Sequence, residues 1–242
     1  MGPLGNGIRD AARLIVEADP TTVQITLRTL EVAGLATLIA AACAVPLGAA
    51  TGGFRFPGQR VLSVLLNAGL ALPPIAIGQI LWILMWPDSR WGGGLLAGLG
   101  WLYTLNAVVL AQTLLALPVI AAITASAVRA VPAGVADQAR AFGASRFNIA
   151  ILLIREARQG ATAALIAGLG TAMATVGAIL VVGTSLGNAT LASATVTQWN
   201  AGGNDARAIA CGTILLLLFG VLAGLLTFVQ RGGLRWLMLR PS

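Results

Sequence analysis

The stretch from Arg129 to Arg158, RAVPAGVADQARAFGASRFNIAILLIREAR, interrupts a chain that is otherwise mostly apolar and holds five of its fifteen arginines. Pro132 fits the first turn of a helix, Gly143 suits a left-handed carboxy-terminal cap, and Ser145 can accept a hydrogen bond at the start of a second helix. The pattern predicts a helix, a sharp corner and another helix. On the first helix Val135, Ala139 and Phe142 recur at i, i+4 and i+7, while Asp137, Gln138 and Arg140 take other faces. That is a knob with a polar rim. A segment this basic and this broken by Pro and Gly does not belong in lipid. It reads as a cytoplasmic docking surface, or as a solvated loop whose charge only sets topology.

Outward from this island the chain is greasy. Of 242 residues 57% are apolar and 10% charged, too little polar surface to cover a soluble globule of this size. All the basic residues are arginine, with no lysine and no histidine. A phosphate loop ending in Gly-Lys-Ser/Thr, a lysine Schiff base and a histidine base or metal ligand are therefore excluded. Any ATP hydrolysis would belong to a partner. Cys43 and Cys211 lie inside apolar runs without metal or redox spacing and read as small packing residues. Met1 to Asn6 carries neither a basic-then-apolar leader pattern nor a myristoylation signal, so neither processing step is expected.

Five apolar stretches approach or exceed the roughly 20 residues needed to cross a bilayer: 23–50, 61–86, 105–128, 160–183 and 208–229. Five crossings put the two ends on opposite sides. The first loop (Arg55, Arg60), the island and the tail (Arg231, Arg235, Arg240) hold ten arginines against Asp137 and Glu156. The opposite segments hold five arginines against six carboxylates. The positive-inside rule then places the N-terminus outside and the C-terminus in the cytoplasm. Trp82, Trp86, Trp91, Trp101 and Tyr103 cluster around the second loop, as an outer aromatic belt would.

The whole of 1–242 reads as a single all-α transmembrane domain. Residues 1–22 form an external segment in which Ile8, Ala11, Ala12, Ile15 and Val16 build an interfacial helix. Residues 129–158 are the cytoplasmic loop, 230–242 a short cytoplasmic tail, and 184–206 a polar external loop in which Leu186, Leu191 and Val196 allow a short helix. No carboxylate or arginine lies near a midplane, which disfavours a proton- or sodium-coupled carrier. Gly160, Ala164, Gly168 and Ala172 form a small-residue ridge for close helix packing, as do Gly220 and Gly224. Thr171, Thr175, Thr184 and Ser185 are candidates to line a solute path, and Pro73-Pro74 and Pro118 to kink their spans.

The island resembles the cytoplasmic loop of ATP-binding-cassette importer permeases, which carries Glu-Ala-Ala, three residues, Gly, nine residues and Ile-x-Leu-Pro. Asp137-Gln138-Ala139, then Arg140-Ala141-Phe142 and Gly143, follow the first half. Asp137 stands for the family's Glu and Gln138 for its first Ala. Ten residues past Gly143, Leu153 is followed by Ile154-Arg155-Glu156 rather than the family's ending. Length, span pattern and the run Gly177-Ala178-Ile179-Leu180-Val181-Val182-Gly183 are most similar to the tungstate/molybdate-type oxyanion permeases, over most of the chain. In that family a glutamate usually precedes the run and Gly-Asn follows it, whereas this chain has Thr175-Val176 and Thr184-Ser185.

The resemblance implies a type I importer permease with five transmembrane helices, working as a homodimer in a bacterial-type inner membrane. Two cytoplasmic ATPase subunits would bring ATP and magnesium, and an external solute-binding protein would deliver tungstate or a related oxyanion. Val135, Asp137, Gln138, Ala139, Arg140, Phe142, Gly143 and Arg146 would meet the ATPase, with Phe142 and Ala139 as the inserted knob and Gly143 as the corner. The chain itself would hold no cofactor, perform no catalysis and bind no nucleic acid. The alternatives are import of another solute such as sulfate, phosphate or an amino acid, and a non-conducting scaffold role.

Overall fold

Asp19 and Pro20 show how these residues become helices. Asp19 Oδ2 accepts hydrogen bonds from the Thr22 backbone N–H and hydroxyl, both at 2.9 Å. Pro20 supplies a first helical residue whose missing N–H would be unpaired anyway. Those bonds, helped by Arg207 3.7 Å away, hold the Asp19 carboxyl below its ordinary value. The computed structural model describes residues 3–87, 94–183, 189–200 and 205–238.

Over these residues the chain forms eleven α-helices and one short 3-10 turn. They are α1 (Pro3–Val16), α2 (Pro20–Gly53), α3 (Gln59–Leu70), α4 (Pro74–Met85), α5 (Leu105–Arg129) and α6 (Ala133–Ala141). After these come α7 (Arg146–Glu156), α8 (Arg158–Ala174), α9 (Gly177–Val182), α10 (Leu191–Asn200) and α11 (Asp205–Met238).

Helix α2, helix α5 and residues 206–228 of α11 are each long and apolar enough to cross a membrane. Helices α3 and α4 qualify as a fourth span only together, because the chain bends by 105° between them. The break falls where Pro73 cannot donate a backbone bond and Pro74 opens the next helix. The stretch expected at 160–183 is likewise interrupted, at Thr175-Val176, between α8 and α9. Pro118 breaks nothing, since α5 stays helical through it. Its ring lies against Gly69, where an added Cβ would come within 2.6 Å of it.

The helices divide between two compact units, Met1–Ala36 with Pro73–Gln112 and Ala172–Val221, and Thr37–Leu72 with Thr113–Thr171 and Leu222–Ser242. In the first, α4 packs on α9 so closely that a Cβ at Gly78 would lie 2.8 Å from the Ala178 Cα. Val32, Val108 and Ile179 bury together, as do Ile25, Leu191, Ala194 and Cys211. The Thr29 hydroxyl accepts from the Leu191 N–H at 2.8 Å, satisfying a free donor at the start of α10. Trp82 stacks on Trp86 with ring centres 4.7 Å apart and donates from Nε1 to the Tyr103 hydroxyl at 2.9 Å.

Small residues organise the second unit. Gly48 and Gly52, one turn apart on α2, meet the α5 backbone, so that a Cβ would sit 2.7 Å from the Ala121 oxygen and 2.6 Å from the Ala125 oxygen. The α8 ridge packs as its spacing predicts. Ala164 is buried, a Cβ at Gly168 would approach Ile120 to 2.5 Å, and one at Gly160 would run into Ala127. Gly220 and Gly224 differ, because among the described residues nothing lies within 4 Å of a Cβ at either. We expect Gly48→Val to lower unfolding stability in detergent by about 1–3 kcal/mol, since an immobile carbonyl must move. Gly220→Val should change it by less than about 0.5 kcal/mol.

Candidate functional site: the α6–α7 corner

The corner is built by its backbone. Helix α6 ends at Ala141, and Gly143 adopts φ +79°. The Gly143 N–H donates to the Arg140 carbonyl at 2.9 Å and the Ala144 N–H to the Ala139 carbonyl at 3.0 Å. Those two bonds are the Schellman closure, which lets a helix stop in one residue without leaving carbonyls unpaired. Helix α7 starts at once, with the Ser145 hydroxyl accepting from the Asn148 N–H at 3.3 Å. Both caps stand where the sequence predicts them.

The side chains divide differently from the i, i+4, i+7 expectation. Val135 and Ala139 are half-buried, and Ala139 packs against a cluster that includes Ala136, Ile149 and Leu153. Phe142 is 91% exposed. It lies beyond the last helical residue, so the helical spacing that would have kept it beside Ala139 no longer applies. Asp137, Gln138, Arg140 and Arg146 are exposed, and Arg140 pairs with Asp137 at 2.5 Å. In water this i, i+3 pair contributes at most about 1 kcal/mol.

A second exposed aromatic was not singled out from the sequence. Phe147, 73% exposed, stands at the second position of α7 and flanks the corner from the other side. Its signal was available, as an aromatic beside Arg146 in a polar segment is expected at binding surfaces more than in loops.

The path candidates are less tightly placed. Thr171 donates its hydroxyl to the Ala167 carbonyl at 3.0 Å, an ordinary backbone bond one turn back. Thr175 is buried at the end of the α8 segment. Thr184 and Ser185 lie outside the described residues. A polar residue outside the sequence-based candidates is Gln112 in α5, which is fully buried with neither amide atom hydrogen-bonded among the described residues. An amide amid the apolar run 105–128 was the available clue. Gln112→Met, which keeps the volume and removes the amide, is expected to raise unfolding stability by about 1–3 kcal/mol. Unfolding in detergent measures it, and an unchanged or lowered midpoint would mean that the amide has a partner. Among the described residues no group of three or more Cys, Asp or Glu gathers as a metal site.

Comparison with known proteins agrees with this architecture. The chain is 36% identical over 202 residues to a probable anion ABC transporter permease protein of Haloferax volcanii, covering 81% of this chain and 85% of that protein. It is 29% identical over 216 residues to the tungstate uptake system permease protein TupB of Peptoclostridium acidaminophilum, covering 89% and 92%. Among solved structures it is similar to an amino acid ABC transporter crystallised with histidines, with a TM-score of 0.62 and 18% identity over 90% of this chain and 96% of that one. It is also similar to the inward-facing MetNI methionine ABC transporter, with a TM-score of 0.61 and 24% identity over 88% and 93%. At such identities these two show the fold alone. Residues 44–233 match the family described as binding-protein-dependent transport system inner membrane component, and the chain belongs to that family as an ABC transporter permease subunit.

Proposed function

We propose that this chain is the permease subunit of an ATP-driven importer that passes tungstate or a related oxyanion from an external binding protein to the cytoplasm. The α6–α7 corner carries the reading. A capped turn that presents Phe142 to solvent beside Asp137, Gln138, Arg140 and Arg146 suits a docking element for a cytoplasmic ATPase. That ATPase supplies the nucleotide and magnesium. The oxyanion assignment rests on the relatives named for anion and tungstate transport.

In this reading the chain crosses a bacterial-type inner membrane five times, through α2, the α3–α4 pair, α5, the α8–α9 pair and α11. The N-terminus lies outside and the C-terminus in the cytoplasm, in line with the arginine distribution. Two copies enclose one path, with Thr171, Thr175, Thr184 and Ser185 along it. Helix α11 supports a second copy, because Leu216, Leu217, Val221 and Phe228 are mostly exposed and Gly220 and Gly224 leave room for another backbone.

The test is ATP hydrolysis by the chain reconstituted with its ATPase and binding protein, comparing tungstate, molybdate, sulfate and no anion. Stimulation confined to tungstate or molybdate is expected. A basal rate with every anion, in vesicles where the ATPase still binds, would remove the oxyanion assignment.

A further inference from the structure

Beside the corner the described residues form a half-open cavity of about 890 Å³, which shares Asp137, Arg140 and Arg146 with the docking surface. Four arginines line it, Arg55 from the loop after α2, Arg129 from the end of α5, Arg140 from α6 and Arg146 from α7. Among the described residues Asp137 supplies the only carboxylate in the lining, and it is already engaged by Arg140. Among the described residues neither Arg55, Arg129 nor Arg146 has a carboxylate partner.

The helix ends add to this positive field. Pro132 and Ala133, at the amino end of α6, also line the cavity, and no side chain caps that end. Its first N–H groups and its dipole therefore favour an anion. Arg146 is the first residue of α7, where a cation opposes the dipole, and neither α6 nor α7 has an acidic residue in its first turn. All four arginines are exposed, so the positive field of this concavity is open to an anion from solvent. Phe54, Phe56 and Leu153 form an apolar part of the same wall.

We infer that this cavity is a cytoplasmic-side binding site for a phosphate-class tetrahedral oxyanion, held by arginine forks and the amino end of α6. Guanidinium groups match such oxygens with paired, charge-assisted hydrogen bonds. Two sources share that chemistry, the headgroup of an anionic phospholipid and a free inorganic anion. The apolar wall suits the glycerol end of a lipid, and basic pockets at the cytoplasmic ends of membrane helices take such headgroups. The site does not depend on which solute the transporter moves.

The full-length chain, purified without its ATPase, tests this in two arms. One measures binding of radiolabelled inorganic phosphate at constant ionic strength. The other counts phosphatidylglycerol retained per chain, by native mass spectrometry, after extraction from vesicles of phosphatidylcholine and phosphatidylglycerol in a 4:1 ratio. Saturable binding near one group per chain is expected in at least one arm, and the arm that shows it names the source. The Arg129→Gln/Arg146→Gln double variant should lose about tenfold or more in affinity or occupancy, as expected for removing two charge-assisted contacts. Arg158→Gln, outside the cavity, should lose less than about twofold, the effect of net charge alone. Should the double variant misfold, Ala133→Glu provides the same block, because a carboxylate in the first turn of α6 is favourable to the helix. Equal losses in the cavity variants and Arg158→Gln, or no saturable binding in either arm, would overturn the inference.

Discussion

Phe142→Ala is expected to weaken association with the partner ATPase about thirtyfold or more while leaving the chain's own stability within about 0.5 kcal/mol. The two halves of that expectation have one cause. At 91% exposure Phe142 makes almost no contact within the chain, so truncating it removes little that holds the fold. An aromatic ring seated in a partner's groove is the type of residue whose truncation costs 2 kcal/mol or more, which is roughly a thirtyfold change in affinity. The measurement is equilibrium binding of the ATPase to vesicles carrying either form, with thermal unfolding of the isolated chain alongside. Unchanged affinity would show that the corner is a solvated loop and would leave the docking proposal without its anchor.

Gly143→Val is expected to retain membrane insertion and basal ATP turnover while reducing coupled uptake by about tenfold or more. The space around Gly143 is open, so crowding is not the reason. The backbone is: φ +79° lies in the left-handed region, which costs an ordinary L-residue about 1–2 kcal/mol and a β-branched one more. Valine relieves that strain by opening the turn. The bonds from Gly143 to Arg140 and from Ala144 to Ala139 then lengthen, and Phe142 and α7 lose their fixed relation. Gly143→Asn should keep most of the activity, because asparagine tolerates the same conformation. Uptake and ATP hydrolysis measured together in vesicles would decide it. Equal uptake by the valine and asparagine variants would show that the corner's backbone is not what couples.

The corner was the most legible part of this protein. Gly143 and Ser145 act through local backbone geometry, and the structure puts the Schellman closure and the Ser145 cap at those positions, while Pro132 falls one residue outside the expected first turn, as the N-cap of α6. The ridge on α8 was legible for a similar reason, since four-residue spacing alone places Gly160, Ala164 and Gly168 on one face. Spacing did not say which ridges meet a partner within the chain. Gly48 and Gly52 touch the α5 backbone, while among the described residues nothing meets a Cβ at Gly220 or Gly224. A helix face carries no mark of its neighbour, and only long-range packing separates the two cases.

Span continuity shows the same limit. Hydropathy reports how much of a window is apolar, and it does not register a break inside that window. The α3–α4 bend at Pro73 was half visible, because proline cannot continue the hydrogen-bond ladder. The break at Thr175-Val176 carries no such residue. It coincides with Gly177 packing on Ile75, where a Cβ would lie 3.1 Å from the Ile75 nitrogen.

By itself, then, the sequence determined the membrane class, the all-α composition, the uneven arginine distribution and the turn at Gly143, because each follows from solvation or from backbone geometry within a few residues. The tertiary structure decided the rest. It turned Ala139 inward and Phe142 outward, buried Gln112 with no partner among the described residues, and brought Arg55, Arg129, Arg140 and Arg146 around one cavity. Those arginines lie up to 91 positions apart along the chain. Nothing in local propensity brings such distant groups together, and the packing of apolar helices does.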